Sequence, residues 1–532
     1  MELDESLWPL DASEPVIDMT VGDLLRAAAA DAPGRTALVA GVHDPAGRRR
    51  WTYSELLDES ERAARALLTR FAPGERLAVW APNLPEWVIL ELAAGLAGLV
   101  LVTVNPSYRP SELEYVLRQS RAAGVFSASE FRGNPMAASV EQVRPHLPEL
   151  REVLSFADWP AFVGSGPTAA ALPALRPDDP AQIQYTSGTT GFPKGAHLHH
   201  RGIVNNARFT RDRLEVGDGA VWLNPMPLFH TGGCVLGALG CLWARATHIP
   251  VLQFDPALVL ELIETEGADV MGAVPTMLVA LLEHPDFSGR DLSSLRAVLS
   301  GGSTVPADLV RRIEGGLGVR FGIVFGQTEA SPVITQTRLD DTPDDKAETI
   351  GQPQPQQEVK VADVATGAVL RCGEVGEICS RGYNLMLGYF EMPEATAETI
   401  DADGWLHTGD LGTMDARGYL RVEGRLKDMV IRGGENLYPR EIEELLFTHP
   451  AVADVAVLGV PDDRWGEELA AVVRLAAGHD SVGEAELRAF VRERLAPQKT
   501  PRQWAFVTEF PLTASGKVQK YVLRERLVRG EL

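Results

Sequence analysis

The run of residues from Tyr185 to Ala196 reads Tyr-Thr-Ser-Gly-Thr-Thr-Gly-Phe-Pro-Lys-Gly-Ala and places hydroxyl groups and glycines just before a lysine. Glycine lets backbone N–H groups approach a ligand closely, and successive N–H groups of this kind form a nest for anions. Hydroxyl groups and an ammonium add donors suited to phosphate oxygens. A Walker loop is excluded because its lysine precedes Ser or Thr, whereas Lys194 precedes Gly195. Either a phosphate loop or a polar surface turn remains open, and the candidate ligands are Thr186, Ser187, Gly188, Thr189, Thr190, Gly191 and Lys194.

A histidine and a carboxylate follow farther along the chain. His230 ends the proline-stiffened approach Asn224-Pro-Met-Pro-Leu-Phe and precedes Thr-Gly-Gly, so a tight turn holds it. Taken alone, such a histidine is more often a buried residue with its hydrogen bonds satisfied than a functional one. Glu329 follows Thr328 after an apolar, strand-like segment. Mg²⁺ takes one or two carboxylates together with phosphates, so a carboxylate beside a hydroxyl is a pair of residue types suited to a metal–phosphate ligand.

Polar residues that could contact a nucleotide or a thiol also occur near the C-terminus. Asp410 follows a glycine in Trp-Leu-His-Thr-Gly-Asp, where a carboxylate can accept the two vicinal hydroxyls of a ribose or simply occupy a turn. Arg425 and Lys427 lie in Gly-Arg-Leu-Lys-Asp, and the run Arg-Gly-Gly-Glu follows shortly afterwards. Lys517 ends Thr-Ala-Ser-Gly-Lys close to the C-terminus, where a solvated charge is the usual interpretation.

In this order the motifs resemble those of the adenylate-forming (AMP-binding) superfamily, which includes acyl-CoA synthetases, luciferases and nonribosomal-peptide adenylation domains. The resemblance covers nearly the whole chain. One departure concerns the family's Tyr-Gly-x-Thr-Glu motif, where Phe325 stands in place of the tyrosine. A phenylalanine can still stack on adenine but cannot make the hydrogen bond of a hydroxyl.

The resemblance implies a role for each motif. His230 would orient the substrate carboxylate, Glu329 would hold Mg²⁺, and Lys427 would be the hinge of a small C-terminal domain. Lys517 would stabilise charge that develops on phosphate oxygens, so that Lys517, His230, Glu329 and Thr328 form the catalytic set. The residues implied for nucleotide binding are Thr186, Ser187, Gly188, Thr189, Thr190, Gly191, Lys194, Gly301, Gly302, Ser303, Phe325, Gly326, Gln327, Thr328, Asp410, Arg425 and Lys517, and those for coenzyme A are Arg432, Gly433, Gly434 and Glu435.

The implied reaction has two halves. A carboxylate attacks the α-phosphate of ATP, with Mg²⁺ as cofactor, to give acyl-AMP and pyrophosphate, and the thiol of coenzyme A then displaces AMP. The segments Asn105–Tyr108 and Gly382–Tyr389 look most like those of fatty and medium-chain acyl-CoA synthetases. Three other functions stay open: an adenylation enzyme that loads a carrier protein, a luciferase-type oxidase, and a catalytically silent nucleotide or CoA sensor.

The elements that must position these residues follow from length and pattern. A chain of 532 residues is too long for a single core, and its 45% apolar content is ordinary for a globular protein. Helix-like and strand-like segments alternate, which is typical of layered α/β folds. We expect residues 1–426 to form a large, multi-lobed N-terminal domain with the nucleotide and acyl sites. Residues 427–532 would form a small, mobile α+β domain with the hinge at its start.

Several local patterns predict individual elements. A capping box, Thr52-Tyr-Ser-Glu55, predicts the start of a helix, and the apolar run from Val88 to Val104 predicts a buried helix followed by a buried strand and not a membrane span. Pro439 would begin a helix, segments 455–460 and 469–475 would be strands, and Ser481 would cap a helix that ends near Leu495. Histidines at 197, 199 and 200 are expected to be ordinary surface residues.

Charge and cysteine content limit the partners. The formal charge of −23 argues against a general nucleic-acid binder but permits small anionic ligands in a local nest. The four cysteines lack a Cys-x-x-Cys pair, so neither zinc nor a redox motif is indicated and reduced thiols are expected. An acidic N-terminus without the features of a signal peptide predicts a cytoplasmic location. The expected partners are a carboxylic acid, ATP and coenzyme A, with no integral membrane segment and a homodimer as a possible state.

Overall fold

A computed structural model of the chain describes residues 2–186, 193–302, 305–433, 435–462, 464–479, 481–512 and 518–532. The helices are α1 Val21–Asp31, α2 Tyr53–Leu68, α3 Pro85–Ala97, α4 Pro110–Gln119, α5 Met136–Val143, α6 Trp159–Val163, α7 His200–Arg213, α8 Gly240–Trp243, α9 Pro256–Glu266, α10 Pro275–Leu282, α11 Ala307–Leu317, α12 Pro343–Glu348, α13 Pro393–Thr399, α14 Pro439–Phe447, α15 Glu484–Arg492 and α16 Lys520–Val528.

The strands are β1 Leu7–Trp8, β2 Thr36–Val39, β3 Arg50–Thr52, β4 Arg76–Trp80, β5 Val100–Thr103, β6 Gly124–Ser127, β7 Glu152–Ser155, β8 Pro180–Thr186, β9 Lys194–His199, β10 Val221–Asn224, β11 Thr247–Pro250, β12 Val270–Gly272, β13 Ala297–Gly301, β14 Arg320–Gly326, β15 Val333–Gln336, β16 Gln352–Pro353, β17 Gln357–Ala362, β18 Gly376–Gly382, β19 Gly388–Tyr389, β20 Leu406–Met414, β21 Leu420–Arg425, β22 Val430–Arg432, β23 Glu435–Leu437, β24 Val452–Asp462, β25 Gly466–Leu475 and β26 Gln503–Phe506.

Contacts divide the described residues into two compact units. The larger unit contains those among residues 8–359 and 380–406, and the smaller unit contains those among residues 1–7, 360–379 and 407–532. The predicted α/β class, with a large N-terminal part and a small C-terminal part, is confirmed. The predicted domain boundary between residues 426 and 427 is the position of a hinge for the C-terminal part of the chain. That hinge stays a prediction.

Two sheets organise the larger unit. One has the strand order β19-β9-β8-β5-β4-β6-β7, in which β4, β5, β6, β7 and β8 are parallel and β9 and β19 are antiparallel additions at one side. The other has the order β16-β15-β14-β13-β12-β10-β11-β2-β3, with parallel strands from β14 to β2 and antiparallel strands at both edges. Helices cover such parallel sheets because both faces are apolar.

The predicted local patterns hold for this unit. Thr52 caps α2 through a reciprocal capping box with Glu55. The apolar run becomes α3, which is buried almost throughout, followed by the buried strand β5. Within the described part of the chain, no helix has the length and apolar character that crossing a membrane requires.

One polar cluster interrupts the apolar core around α3. Glu91 of α3 is 2% exposed, and its Oε1 accepts a hydrogen bond of 2.6 Å from Gln182 Nε2 on β8. Gln184 Nε2 donates to Gln182 Oε1 at 2.8 Å and to Cys234 Sγ at 3.2 Å. Thr103 Oγ1 on β5 donates to Gln184 Oε1 at 3.1 Å. Together these bonds connect α3 to β8, the strand that precedes the predicted phosphate loop.

The smaller unit has two sheets. The first has the order β1-β17-β18-β20-β21, and the second has the order β23-β22-β25-β24 with β26 paired to β25. Alternation along β24 and β25 explains why helices lie on both faces of the second sheet. On one face, Val455, Val457, Ala471 and Val473 cluster with apolar residues of α14 and α15. On the other face, Ala456, Leu458, Ala470 and Val472 cluster with Leu523 of α16.

The predicted start of α14 at Pro439 and the two strands β24 and β25 are confirmed. The predicted cap of α15 is wrong. Gly483, in an extended conformation, precedes the first residue of α15 and provides no side-chain cap, so Ser481 does not have that role.

Candidate active site

The parallel strands of the nine-stranded sheet bring three predicted motifs to one edge. Strands β10, β12, β13 and β14 are neighbours and run in the same direction. The carboxyl ends of such strands meet at one edge, where ligands of open α/β sheets bind. His230 lies in the segment after β10, Gly301 and Gly302 at the end of β13, and Phe325 to Thr328 at and just beyond the end of β14. Gly301 and Val324 are direct register partners.

Backbone groups fix the orientation of His230. Its Nδ1 accepts the N–H of Gly232 at 3.1 Å, and its own N–H donates to the carbonyl oxygen of Pro227 at 3.1 Å. A neutral ring therefore carries its proton on Nε2, which is the tautomer that can donate to a ligand. Gly233 is required here because a Cβ at that position would lie 2.2 Å from the carbonyl oxygen of Pro227. A π-helix, Gly232–Leu239, begins directly after this turn, a feature common at functional sites.

The two ends of the predicted phosphate loop are neighbours in the other sheet of the larger unit. Thr186 ends β8, Lys194 begins β9, and the two residues are register partners. The Oγ1 atom of Thr186 also donates to the carbonyl oxygen of Lys194 at 3.4 Å. This pairing places Lys194 beside Thr186, so the two ends of the predicted phosphate loop are adjacent.

One tyrosine contacts both Lys194 and Glu329. The Nζ atom of Lys194 is 4.9 Å from the ring centroid of Tyr389, within the range of a cation–π contact. The hydroxyl of Tyr389 donates to Glu329 Oε1 at 2.6 Å, and Glu329 is 8% exposed. Burial makes the largest contribution to raising the pKa of the Tyr389 hydroxyl, and the neighbouring charge of Glu329 raises that pKa further. The hydroxyl therefore stays protonated at neutral pH and remains a donor to the carboxylate.

Backbone bonds hold this cluster together. Tyr389 on β19 is the register partner of Ala196 on β9, two residues after Lys194. The N–H of Met386 donates to the carbonyl oxygen of Glu329 at 2.8 Å, and Asn384 Nδ2 donates to the carbonyl oxygen of Ala330 at 2.8 Å. The loop after β14 is therefore attached to the segment that carries Tyr389.

The donor set around Glu329 fits a Mg²⁺ ion. A single carboxylate, fixed through one oxygen by Tyr389, is the hard ligand that Mg²⁺ takes together with phosphate oxygens. Thr328, the residue before Glu329, is 9% exposed and supplies a further oxygen donor. Phe325 and Gln327 are half-buried and Gly326 is exposed, so the end of β14 is accessible to a ligand.

In the smaller unit, Asp410 and Arg425 form an ion pair. They are register partners on β20 and β21, and Arg425 Nε donates to Asp410 Oδ1 at 3.0 Å. Asp410 is 6% exposed, whereas the Arg425 side chain is about half exposed. Lys427 is exposed in the turn after β21, where the N–H groups of Asp428 and Met429 donate to the carbonyl oxygen of Arg425.

Arg432 and Glu435, two of the residues predicted to contact coenzyme A, are register partners on the antiparallel strands β22 and β23. Arg432 Nε donates to Glu468 Oε1 at 2.7 Å, and the guanidinium lies 4.7 Å from the ring centroid of Trp465. Gly433 has φ of +60°, and a Cβ there would lie 2.7 Å from Cε3 of Trp465. Glu435 is exposed and pairs with Arg432 in the strand register. A glycine is therefore required at 433 for backbone and steric reasons.

Some predicted site residues lie outside the described part of the chain. They are Ser187, Gly188, Thr189, Thr190, Gly191, Ser303, Gly434 and Lys517. Their predicted roles stay predictions, as do the roles assigned to the described site residues.

The prediction that the histidine group lies at the surface is wrong. His199 and His200 are 7% and 1% exposed, and His197 is half-buried. Burial lowers the pKa of His197 and of His200 to about 4, so both rings are neutral at pH 7. His199 caps α7 by accepting the N–H of Gly202.

Tyr389 is the residue that sequence reasoning missed. It ends the Gly382–Tyr389 segment, whose resemblance to acyl-CoA synthetases implies no role for the tyrosine hydroxyl. The segment lies about 60 residues beyond Glu329 in sequence, and only the pairing of β19 with β9 brings the two together.

Comparisons with known proteins agree over nearly the whole chain. A family model described as AMP-binding enzyme matches residues 25–390, and one described as AMP-binding enzyme C-terminal domain matches residues 441–517. The human protein named medium-chain acyl-CoA ligase ACSF2, mitochondrial, is 38% identical over 546 residues, which is 96% of this chain and 88% of that protein.

Solved structures agree as well. The crystal structure of ATP-bound MatB from Rhodopseudomonas palustris has a TM-score of 0.87 at 30% identity and covers 95% of this chain and 99% of that one. The crystal structure of the anthranilate CoA ligase AuaEII in complex with anthranoyl-AMP has a TM-score of 0.89 at 27% identity, with coverage of 98% and 99%.

Proposed function

The chain belongs to the AMP-binding enzyme family, and from that premise we propose that it is an ATP-dependent ligase that joins a fatty or medium-chain carboxylic acid to coenzyme A through an acyl-AMP intermediate. The observation that carries the proposal is the arrangement of Lys194, Tyr389 and Glu329 in the larger unit. Tyr389 contacts both a cation, Lys194, at one end of the predicted phosphate loop and a carboxylate, Glu329. A triphosphate with its metal ion needs both charges.

In the first half-reaction, an oxygen of the substrate carboxylate forms a bond to the α-phosphorus of ATP, and the bond from that phosphorus to the bridging oxygen breaks. Pyrophosphate leaves with the electron pair, and acyl-AMP remains. His230 would orient the carboxylate through Nε2–H, because its Nδ1 is occupied by the N–H of Gly232. Proton transfer is not needed at this step since the acid is already ionised at pH 7.

Charge stabilisation would come from lysines. Lys194 at the base of the loop would contact the phosphates, and Lys517 would be directed at the α-phosphate and the departing pyrophosphate. Mg²⁺, held by Glu329, would neutralise charge on the phosphate oxygens when bound. Asp410 would accept the ribose hydroxyls, and Arg425 would hold that carboxylate through the Nε contact while reaching the ribose or the phosphate.

In the second half-reaction, the thiol sulfur of coenzyme A attacks the acyl carbonyl carbon, the bond to the AMP oxygen breaks, and the thiol proton is released. We propose that the part of the chain after Lys427 turns between the two halves, so that Lys517 withdraws and the hairpin of Arg432, Gly433, Gly434 and Glu435 faces the pantetheine arm. Exclusion of water would protect the mixed anhydride meanwhile.

The half-reactions can be measured separately to test the proposal. Lys517→Ala should slow formation of acyl-AMP by about 100- to 1,000-fold, as loss of one charge-stabilising donor does, and should largely spare transfer from supplied acyl-AMP to CoA. Lys520→Ala is the matched control, because Lys520 is close in sequence but forms an ion pair with Glu443. Equal losses in both halves would refute the assignment of Lys517 to adenylation alone.

The acceptor and the acid are tested by product release. A panel of acids of increasing chain length, with ATP, should give AMP release that depends on free CoA. Release that requires a holo-carrier protein instead would refute the CoA proposal, and no pyrophosphate release with any acid would refute ligase activity. For the compartment we propose the cytoplasm, although the human relative is named as mitochondrial, and cell fractionation tests this. Sedimentation analysis tests a homodimer.

A further inference from the structure

Three potential metal ligands come together on two neighbouring strands of the smaller unit, and none of them is the carboxylate proposed to hold Mg²⁺. Glu377 and Cys379 are two residues apart on β18, so their side chains point to the same face. His407 stands on the adjacent strand β20. One potential ligand atom from each residue lies within 4.8 Å of the other two.

Two distances within this cluster can be compared with those of a tetrahedral site. Cys379 Sγ is 3.6 Å from His407 Nδ1, and His407 Nδ1 is 2.7 Å from Glu377 Oε2. Bonds of about 2.0–2.3 Å to a tetrahedral zinc ion place the ligand atoms roughly 3.2–3.8 Å apart. The sulfur–nitrogen distance already matches. The nitrogen–oxygen distance is that of a hydrogen bond, and a cation in place of the shared proton would lengthen it by about 0.5 Å.

The chemistry of the three ligands selects one class of cation. A thiolate and an imidazole favour borderline divalent transition metals, whereas Mg²⁺ and Ca²⁺ prefer oxygen ligands only. We propose that Glu377, Cys379 and His407 form a binding site for a divalent transition cation such as Zn²⁺, separate from the Mg²⁺ of the nucleotide. Three protein ligands leave the remaining coordination position to solvent or to an added ligand.

The surroundings support a preformed site with access from solvent. The second oxygen of Glu377, Oε1, accepts the N–H of Gly409 at 3.0 Å, which fixes the carboxylate while Oε2 faces the histidine. Hydrogen bonds of this kind orient ligands in known metal sites. Cys379 is fully buried, but about a third of the His407 side chain is exposed, which gives a cation a path to the cluster.

Cobalt binding to the full-length protein tests the proposal without relying on activity. Co²⁺ is titrated into protein freed of metals, with nucleotide and Mg²⁺ absent. The expected result is one Co²⁺ per chain with an intense near-ultraviolet charge-transfer band from the thiolate. Zn²⁺ should displace Co²⁺ and abolish the band. Affinity should fall as the pH is lowered, because thiol and imidazole must lose their protons to bind.

Two variants and one matched control locate the site. Cys379→Ser should remove the charge-transfer band, and His407→Gln should weaken Co²⁺ binding by more than about 100-fold. Cys372→Ser is the control, because Cys372 lies in the same unit and its Sγ donates to the carbonyl oxygen of Leu3 outside the cluster. If Cys379→Ser fails to fold, the wild-type spectrum and His407→Gln decide the question. No Co²⁺ bound by the wild type, binding without the thiolate band, or a band lost in Cys372→Ser would each refute the site.

Discussion

Replacing Glu91 by glutamine should change how the stability of the larger unit depends on pH. Glu91 is buried on α3, and burial raises the pKa of its carboxyl to about 8 against the hydrogen bonds from Gln182 and Cys234, which lower it. In the folded protein the carboxyl is therefore mostly neutral at pH 7. Glutamine has the same shape and is always neutral, so Glu91→Gln removes the titration while an amide oxygen can still accept the bond from Gln182.

The sign and the size of the effect follow from linkage. The unfolded carboxyl loses its proton near its ordinary pKa of 4.5, whereas the folded one keeps it until about pH 8. Between these values the folded state binds more protons, so the wild type loses stability as the pH rises. The loss is about 1.4 kcal/mol per pH unit, or about 3 kcal/mol between pH 5 and pH 7. The contribution of Glu91 is fully present below about pH 4.5 and is lost above about pH 8.

The assay compares the midpoints of urea unfolding of wild type and variant in steps from pH 5 to pH 8, followed by a fluorescence signal. The stability difference should grow in favour of Glu91→Gln as the pH rises. Glu398→Gln, which removes an exposed carboxylate of α13, is the control and should run parallel to the wild type. A constant offset between Glu91→Gln and wild type over this range would show that Glu91 is ionised in the fold and would refute the reasoning.

Three further changes test the site. Tyr389→Phe removes the hydrogen bond to Glu329 but keeps the ring beside Lys194, so pyrophosphate exchange at limiting Mg²⁺ should fall about 10- to 100-fold. An unchanged dependence of the exchange rate on Mg²⁺ concentration would contradict the role of Tyr389 in holding Glu329. Asp410→Asn should raise the KM for ATP about tenfold and leave the KM for the acid unchanged, which steady-state kinetics with each substrate varied would show. Gly433→Ala should slow acyl transfer from acyl-AMP to CoA about tenfold, because the added Cβ would clash with Trp465. An equal loss of pyrophosphate exchange would argue that residue 433 does not act in the CoA step alone.

The parts of the fold that could be predicted from sequence depend on local patterns. The capping box at Thr52, the run that became α3 and β5, and the strands β24 and β25 each carry their signal in neighbouring residues. Burial of the histidines at 199 and 200 was missed for the opposite reason. Their environment comes from distant segments, for example Val21, whose N–H donates to His200 Nδ1 at 3.3 Å.

The candidate site shows the same division between local and distant information. Residue types in the motifs predicted that Lys194 and Glu329 belong to the site, but they did not predict that Tyr389 contacts both. Strand pairing brings Tyr389 to these two residues. The sequence did not indicate the cluster of Glu377, Cys379 and His407, because sequence motifs for zinc depend on the spacing of cysteines and histidines along the chain. Two of its members share a strand, and the third arrives from the adjacent strand about 30 residues later.

The position of Tyr389 explains how a chain with a formal charge of −23 can offer a cation to a triphosphate. The ammonium of Lys194 lies over the Tyr389 ring, 4.9 Å from its centroid. The hydroxyl of the same ring holds Glu329. A direct ion pair between the lysine and the glutamate would neutralise both charges. Over the ring, the ammonium keeps hydrogen-bond donors for phosphate oxygens, because a π face attracts a cation without accepting all of its donors. The carboxylate, which accepts the tyrosine hydroxyl through Oε1, keeps its second oxygen for Mg²⁺.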